Sequence, residues 1–298
     1  MTGKRIVLKN GIGLHVLDFE GERMPVILFL HFSGGTLSMW DGVLPQFTEG
    51  YRVIAPDMRG HGKSDKPETG YHVEDMANDM ALLLQELSVE RCHVVGSSMG
   101  AEIGLCLAAA HPEKVSSLVC EGALYNEFGE LGIFPGDAQE IDREKEAQRV
   151  LHPLRKPPMG ASREAYLAEA KAPFVELGIW NSHVQAFVES TMAETVDGMF
   201  TSHYQNHVRS EYIQKYWDLA FENYYAAIQC PVLFLPSEEE WSNERIRHSL
   251  SVFRALTPRS EVKLIPSSIH AYVWMQLPEE AGQAVKAFIE SVRTPDGK

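Results

Sequence analysis

The chain has 298 residues, long enough for one large α/β domain or two modest ones with a substantial core. Hydrophobic residues make up 44% and charged residues 23%, the balance of an ordinary soluble globular protein. A formal net charge of −14 argues against a nucleic-acid partner or an anionic-membrane surface, and no apolar run reaches membrane-spanning length, so no membrane span is expected.

The start, MTGKRIVLKNGIG, is basic but lacks an apolar core and a small-residue cleavage site, so no export signal is expected. The four cysteines (Cys92, Cys106, Cys120, Cys230) sit in apolar segments without a C-x-x-C pair. They read as buried free thiols in a reducing, cytoplasmic compartment. Residues 4 to 19 alternate around the KNGIG turn and predict a β-hairpin. The runs PVILFLHF, YRVIAPD, RCHVVGS, VSSLVCE, PVLFLPS and EVKLIPS follow as strands. Most are too continuously apolar for a half-exposed sheet, which predicts a parallel sheet covered on both faces. Between them, residues 73 to 87 place Met76, Met80, Leu83, Leu84 and Leu87 on one helical face. A second helix, AEIGLCLAAA, ends before Pro112.

Residues 124 to 228 contain no convincing strand, an interval far longer than an ordinary connection. Residues 210 to 228 carry Ile213, Tyr216, Trp217, Ala220, Phe221 and Tyr224 at helical spacing, with Ser210 as N-cap. The interval therefore reads as a helical insertion, a lid over the sheet edge formed by 1–123 and 229–298. It holds 15 large aromatic side chains, most of them expected to pack it against itself and the sheet. The terminal TPDGK is expected to fray.

Gly96-Ser97-Ser98-Met99-Gly100 is G-x-S-x-G at a strand-to-helix junction. The pentapeptide alone could be a glycine-rich helix start with a capping serine. As a nucleophile turn, it makes Ser98 the reactive residue and Ser97 a neighbour whose loss should be mild. Met99 would then offer a backbone N–H at a helix N-terminus to a developing oxyanion. His203 and His207 have i, i+4 spacing, but no third ligand has recognisable spacing, so no metal is expected. No nucleotide-binding loop is recognisable, and no cofactor is expected.

Together with this pentapeptide, LFLHFSGGTLSMW and APDMRGHGKSDKP resemble the α/β-hydrolase family at the strand-loop that carries the second oxyanion donor and at its D-x-R-G-x-G-x-S loop. The resemblance implies a doubly wound, mainly parallel sheet of about eight strands with a helical lid. It also implies Ser33 as an oxyanion N–H donor, with Phe32 where the family has glycine, and gives Arg59 and His61 no catalytic part. His270, after the last strand, takes the place of the catalytic histidine. The acid has two candidates. Glu240, in SEEEW, takes the family's aspartate position with Ser237 at its glycine, and a slip of one would give Glu239. Glu121 ends VSSLVCE and is the alternative, although strand alternation is expected to turn it to the opposite face.

These residues point to a cofactor-independent serine hydrolase acting on an ester, lactone or related acyl bond of a small, mainly apolar substrate, as a monomer or homodimer. A carbon–carbon bond hydrolase on the same scaffold and a non-catalytic small-molecule receptor are the alternatives. A serine at position 98 argues against the branches that use a carboxylate nucleophile.

Overall fold

The computed structural model describes residues 3–19, 21, 24–151 and 156–293; the TPDGK tail lies outside them. The predicted hairpin is β1 (Lys4–Val7) paired antiparallel with β2 (Gly13–Phe19), across a turn where Gly11 takes φ 87°. There follow β3 (Val26–Leu30), β4 (Arg52–Asp57), α1 (Val73–Glu86), β5 (Cys92–Ser97), α2 (Met99–Ala110) and β6 (Val115–Glu121). The next hundred residues hold β7 (Asn126–Phe128), β8 (Gly132–Phe134), α3 (Ala138–Leu151), β9 (Met159–Gly160), α4 (Arg163–Glu176) and α5 (Ser182–Ser190). They continue with β10 (Met192–Glu194), β11 (Phe200–Ser202), α6 (Asn206–Tyr216) and α7 (Phe221–Tyr225). The chain then returns through β12 (Val232–Phe234), α8 (Glu238–Ser242), α9 (Glu244–Leu256), β13 (Ser260–Val262), α10 (Val273–Gln276) and α11 (Pro278–Arg293).

Eight strands form one sheet in the order β1-β2-β4-β3-β5-β6-β12-β13. β2 runs antiparallel to both neighbours, and every pairing from β4 to β13 is parallel. Side-chain alternation splits the core into two layers. Leu28, Val94 and Leu118 face one layer with Met76, Met80, Leu83 and Leu84 of α1 and with α2. Phe29, Val95 and Val119 face the other, which holds Trp40, Trp274 and the α11 residues Val285 and Phe288. The central strands β3, β5 and β6 bury both faces, which is why these segments read as continuous apolar runs. Among the described residues no helix is long and apolar enough to cross a membrane.

The interval from 124 to 228 departs from its predicted content in two ways. It contains a three-stranded sheet, β10-β11-β9, and a two-stranded pair, β7-β8. Each strand is two or three residues long, too short for a period-two pattern to register. The single helix predicted over 210–228 is two, with α6 starting at Asn206 after Gln205, so that Ser210 lies inside it. The break precedes Phe221, whose N–H donates to Asn126 Oδ1 at 2.9 Å instead of continuing the helix. The apolar spacing persists across the break because Tyr212, Trp217, Phe221 and Tyr225 are all buried.

Candidate active site

Ser98 sits between β5 and α2 with φ 49° and ψ −119°, a conformation that non-glycine residues avoid. Its backbone is fixed on every side. Ser98 N–H donates to the Glu121 carbonyl, and its own carbonyl accepts from Ala101 and Glu102 at 2.8 and 3.2 Å. A Cβ on Gly96 would lie 2.5 Å from the Ala101 nitrogen, and one on Gly100 would overlap the Leu30 carbonyl. The two glycines of the motif are therefore required by the closeness of strand and helix. Gly122 makes a third such contact, since a Cβ there would lie 2.6 Å from Ser98 Cα.

His270 Nε2 lies 3.2 Å from Ser98 Oγ. On the other side of the ring, His270 Nδ1 lies 2.9 Å from Glu121 Oε1 and 3.2 Å from Glu240 Oε1. Glu239, the one-residue slip, is exposed. The expectation that alternation turns Glu121 away is corrected. Glu121 pairs with Ser97 in the ladder and shares its face with Val119 and Val95, the face covered by Trp274 and the loop that carries His270. Alternation holds, and the histidine approaches from that same side.

The two carboxylates are anchored differently. Glu121, 1% exposed, accepts from Ala271 N at 2.9 Å, the Ser97 hydroxyl at 2.6 Å and Trp274 Nε1 at 3.3 Å. Glu240 forms a capping box at the start of α8. Its Oε2 accepts from Ser237 N at 2.8 Å, and Ser237 Oγ accepts from Glu240 N at 3.2 Å. The acidic run Glu238-Glu239-Glu240 is thus a helix start with its third glutamate turned inward. Burial by itself lowers the His270 pKa; attraction to Glu121 and the close contact with it outweigh that, Glu240 and Glu102 add to them, and His270 is pushed up to about 9.

The loop after β3 carries Ser33, whose hydroxyl lies 2.6 Å from the Tyr204 hydroxyl. Gly34 N–H donates to His61 Nε2 at 3.0 Å, and the His61 ring stacks on Tyr204 with centroids 4.6 Å apart. His31 holds the base of the loop, with Nδ1 2.8 Å from the Phe32 carbonyl and Nε2 accepting from Met58 N at 3.0 Å. Burial, followed by repulsion from His31 and His203, keeps His61 well below the ordinary histidine range, so it stays neutral and can accept. Arg59 makes a two-pronged ion pair with Asp79 of α1 and does not reach Ser98. Met99 begins α2, where the first N–H groups have no partner within the helix.

Two contrasting clusters include close sequence neighbours of Ser33, Ser98 and His270. Phe32, Phe174, Phe187 and Tyr272 make an aromatic box with centroid separations of 5.2 to 6.4 Å. Glu102, one turn beyond Ser98, is 5% exposed and accepts from the Tyr212 hydroxyl at 2.9 Å. Its burial pushes it up to about 8, and Tyr216 and Tyr125 feel its charge. A cleft of about 690 Å³ is lined by Ser33 and Gly34 of the loop after β3 and otherwise by residues of the 124–228 interval, Tyr204 among them.

Glu121, Glu240 and His270 are the one group among the described residues with three metal-competent atoms, within 4.8 Å of one another. The spaced pair His203 and His207 does not form such a site. His203 precedes α6 with Nδ1 3.1 Å from the Thr191 carbonyl, and His207 Nε2 lies 3.2 Å from the Pro67 carbonyl. Sequence reading missed Tyr204, Trp274 and Gly122 as supports of the site, and it passed over His61 and Ser97. Gly122 alone carried a local signal, a glycine directly after the candidate acid of β6.

The chain belongs to the alpha/beta hydrolase fold family, whose profile matches residues 25–274. Among curated proteins, 2-(acetamidomethylene)succinate hydrolase of Mesorhizobium japonicum is 38% identical over 95 residues, 32% of this chain and 34% of that protein. The 2-hydroxymuconate semialdehyde hydrolase of Pseudomonas sp. strain CF600 is 36% identical over 123 residues, 40% of this chain and 43% of that one. The chain thus matches about a third to two fifths of the length of these relatives. Over whole chains, a crystal structure of E-2-(acetamidomethylene)succinate hydrolase superposes with TM-score 0.76 at 24% identity, covering 97% of this chain and 98% of that one. The enol-lactonase of Burkholderia xenovorans LB400 gives TM-score 0.69 at 19% identity, with 96% and 100% covered.

Proposed function

We propose that this protein is a cofactor-independent serine hydrolase that cleaves an ester, lactone or related acyl bond of a small, mainly apolar substrate through an acyl-enzyme. The observation that carries the reading is the 3.2 Å contact between Ser98 Oγ, on its strained turn, and His270 Nε2. Ser98 attacks the carbonyl and passes its proton to His270 Nε2, while the Nδ1 proton faces a carboxylate that stabilises the imidazolium. Backbone N–H groups of Ser33 and Met99 hold the oxyanion. His270 returns the proton to the leaving group, and water, activated by the same base, releases the acid. Residues 124–228 act as a lid that roofs this chemistry and selects the substrate. The buried free thiols of Cys92, Cys106, Cys120 and Cys230 support a cytoplasmic setting.

A carbon–carbon bond hydrolase is the second reading, favoured by the likeness to the semialdehyde hydrolase over 40% of the chain. Labelling with a fluorophosphonate, followed by turnover of p-nitrophenyl esters and of a ring-cleavage product, separates the two. Ser98→Ala should abolish label and turnover, a loss of about a millionfold in kcat if nucleophile and base act as a unit. Full activity in Ser98→Ala would overturn the proposal.

A further inference from the structure

We propose that Glu121 and Glu240 work together as a two-carboxylate clamp on His270, each a positioning residue able to orient the base when the other is lost. This rests on the reading of Ser98 and His270 as nucleophile and base.

The geometry at Nδ1 is that of a shared contact. Both Glu121 Oε1 and Glu240 Oε1 lie within 3.2 Å of it. Yet His270 Nδ1 and Glu240 Oε1 are both buried without a hydrogen bond of acceptable geometry. Neither oxygen is well aligned with the N–H, so the geometry singles out neither carboxylate as the sole partner. A single-acid triad places its N–H in line with one carboxylate, leaving no reason for a second at equal reach.

The anchors are independent. Glu121 is held by Ala271 N–H, Ser97 and Trp274, whereas Glu240 is held by the Ser237 N–H of its own capping box. They share no donor other than His270, so deleting one leaves the other in place. Two buried carboxylates this close repel, and a positive ring between them offsets that cost. The clamp accordingly favours imidazolium over imidazole. Among the groups that face the cluster, Glu102 of α2 reinforces this bias once it ionises, as pH rises past about 8. Tyr125 after β6 and Tyr216 of α6, which face Glu240, are held neutral by burial and nearby carboxylates. The second carboxylate makes the ring a stronger base, at the expense of keeping it protonated to higher pH.

The test is p-nitrophenyl ester turnover against pH for the wild type, Glu121→Gln, Glu240→Gln, the double variant and His270→Ala. Each single variant should keep the plateau of kcat/KM within about 10-fold, and the double should lose about ten-thousand-fold, far more than the product of the single losses. Each single variant should also move the acidic limb of the profile to lower pH, by about one unit. Glutamine at 240 replaces a residue at the start of a short helix, so Glu240→Gln decides the matter even if Glu121→Gln folds poorly. An unshifted limb in Glu240→Gln, or one single variant as inactive as the double, overturns the clamp alone. Wild-type turnover in His270→Ala overturns the hydrolase reading and the clamp with it.

Discussion

The Ser97 hydroxyl donates to Glu121 Oε2 across 2.6 Å, so the residue before the nucleophile holds a carboxylate beside the base. Ser97 is fully buried, and its removal leaves that oxygen only the longer contact from Trp274 Nε1 at 3.3 Å. Sequence alone predicts a mild effect of losing this serine. A lost bond to a charged acceptor is worth about 1.5–3 kcal/mol, but Glu240 still faces the base, so Ser97→Ala should lower kcat by no more than the about 10-fold expected of Glu121→Gln. The fluorophosphonate should still label Ser98, at a slower rate. Unchanged kcat would show that Glu121 does not need this anchor.

Activity should rise with pH well past neutrality. His270 accepts a proton from Ser98 only as neutral imidazole, and its carboxylate partners push it up to about 9. Wild-type kcat/KM for a neutral ester should climb to a plateau near that pH, and a limb near the ordinary 6.5 would contradict it. The same shift stabilises the fold. The contribution is complete below 6.5, where folded and unfolded histidines are both charged, and is lost as pH rises through about 9.

Glu102 gives a second slope in a different window. Unfolded, its carboxyl ionises near 4.5, but in the fold it keeps its proton to about 8 because the ionised form is buried. The folded state therefore binds more protons between those values. Stability is greatest below 4.5 and declines as pH rises through about 8. Glu102→Gln keeps the shape and a partner for Tyr212 while removing the ionisation. Its melting temperature should vary less than the wild type's between pH 5 and 6, a range in which His270 contributes little slope. Parallel curves for the two proteins would refute a neutral Glu102.

The strand runs and the G-x-S-x-G turn were legible because each reflects a local requirement. Strands buried on both faces must be apolar throughout, and Gly96 and Gly100 must admit Ala101 and Leu30. The acid was not legible to the same degree. Glu121 and Glu240 are 119 positions apart, and their meeting at His270 depends on which face the His270 loop crosses, a tertiary fact absent from either local pattern. Likewise, one aromatic stripe predicts one helix over 210–228. The bond from Asn126 that divides it comes from about a hundred residues away.

Tyr204 ties the 124–228 interval to the loop of Ser33. Its hydroxyl meets the Ser33 hydroxyl at 2.6 Å, and its ring packs against both His61 and Gly34, where a Cβ would approach it to 3.1 Å. Tyr204→Phe keeps the packing and removes the hydroxyl. If Ser33 N–H serves the oxyanion, loosening its loop should weaken transition-state binding more than substrate binding. A neutral bond of about 1 kcal/mol predicts a fall in kcat of about 5-fold with KM nearly unchanged. A rise in KM alone would assign Tyr204 to substrate binding instead.

The aromatic box should set the preference for the acyl group. Phe32 adjoins Ser33, Tyr272 follows His270 by two residues, and Phe174 and Phe187 come from α4 and α5. Four rings from three separate parts of the chain thus converge, two of them on the loops that carry Ser33 and His270, and an apolar substituent would gain most there. The carboxylates set a different condition. Glu121 and Glu240 both act on His270, so an anionic substituent would meet carboxylates at close range. This local field is a firmer reason to expect uncharged substrates than the net charge of −14, which salt screens at a distance. Among p-nitrophenyl esters of short, medium, aromatic and anionic acids, kcat/KM should be highest for the neutral apolar ones. Phe187→Ala and Phe174→Ala enlarge the box and should move the optimum toward bulkier acyl groups, with a loss of about 10-fold on the best wild-type ester. An anionic ester as the best substrate, or an unchanged ranking in both variants, would place the acyl group elsewhere.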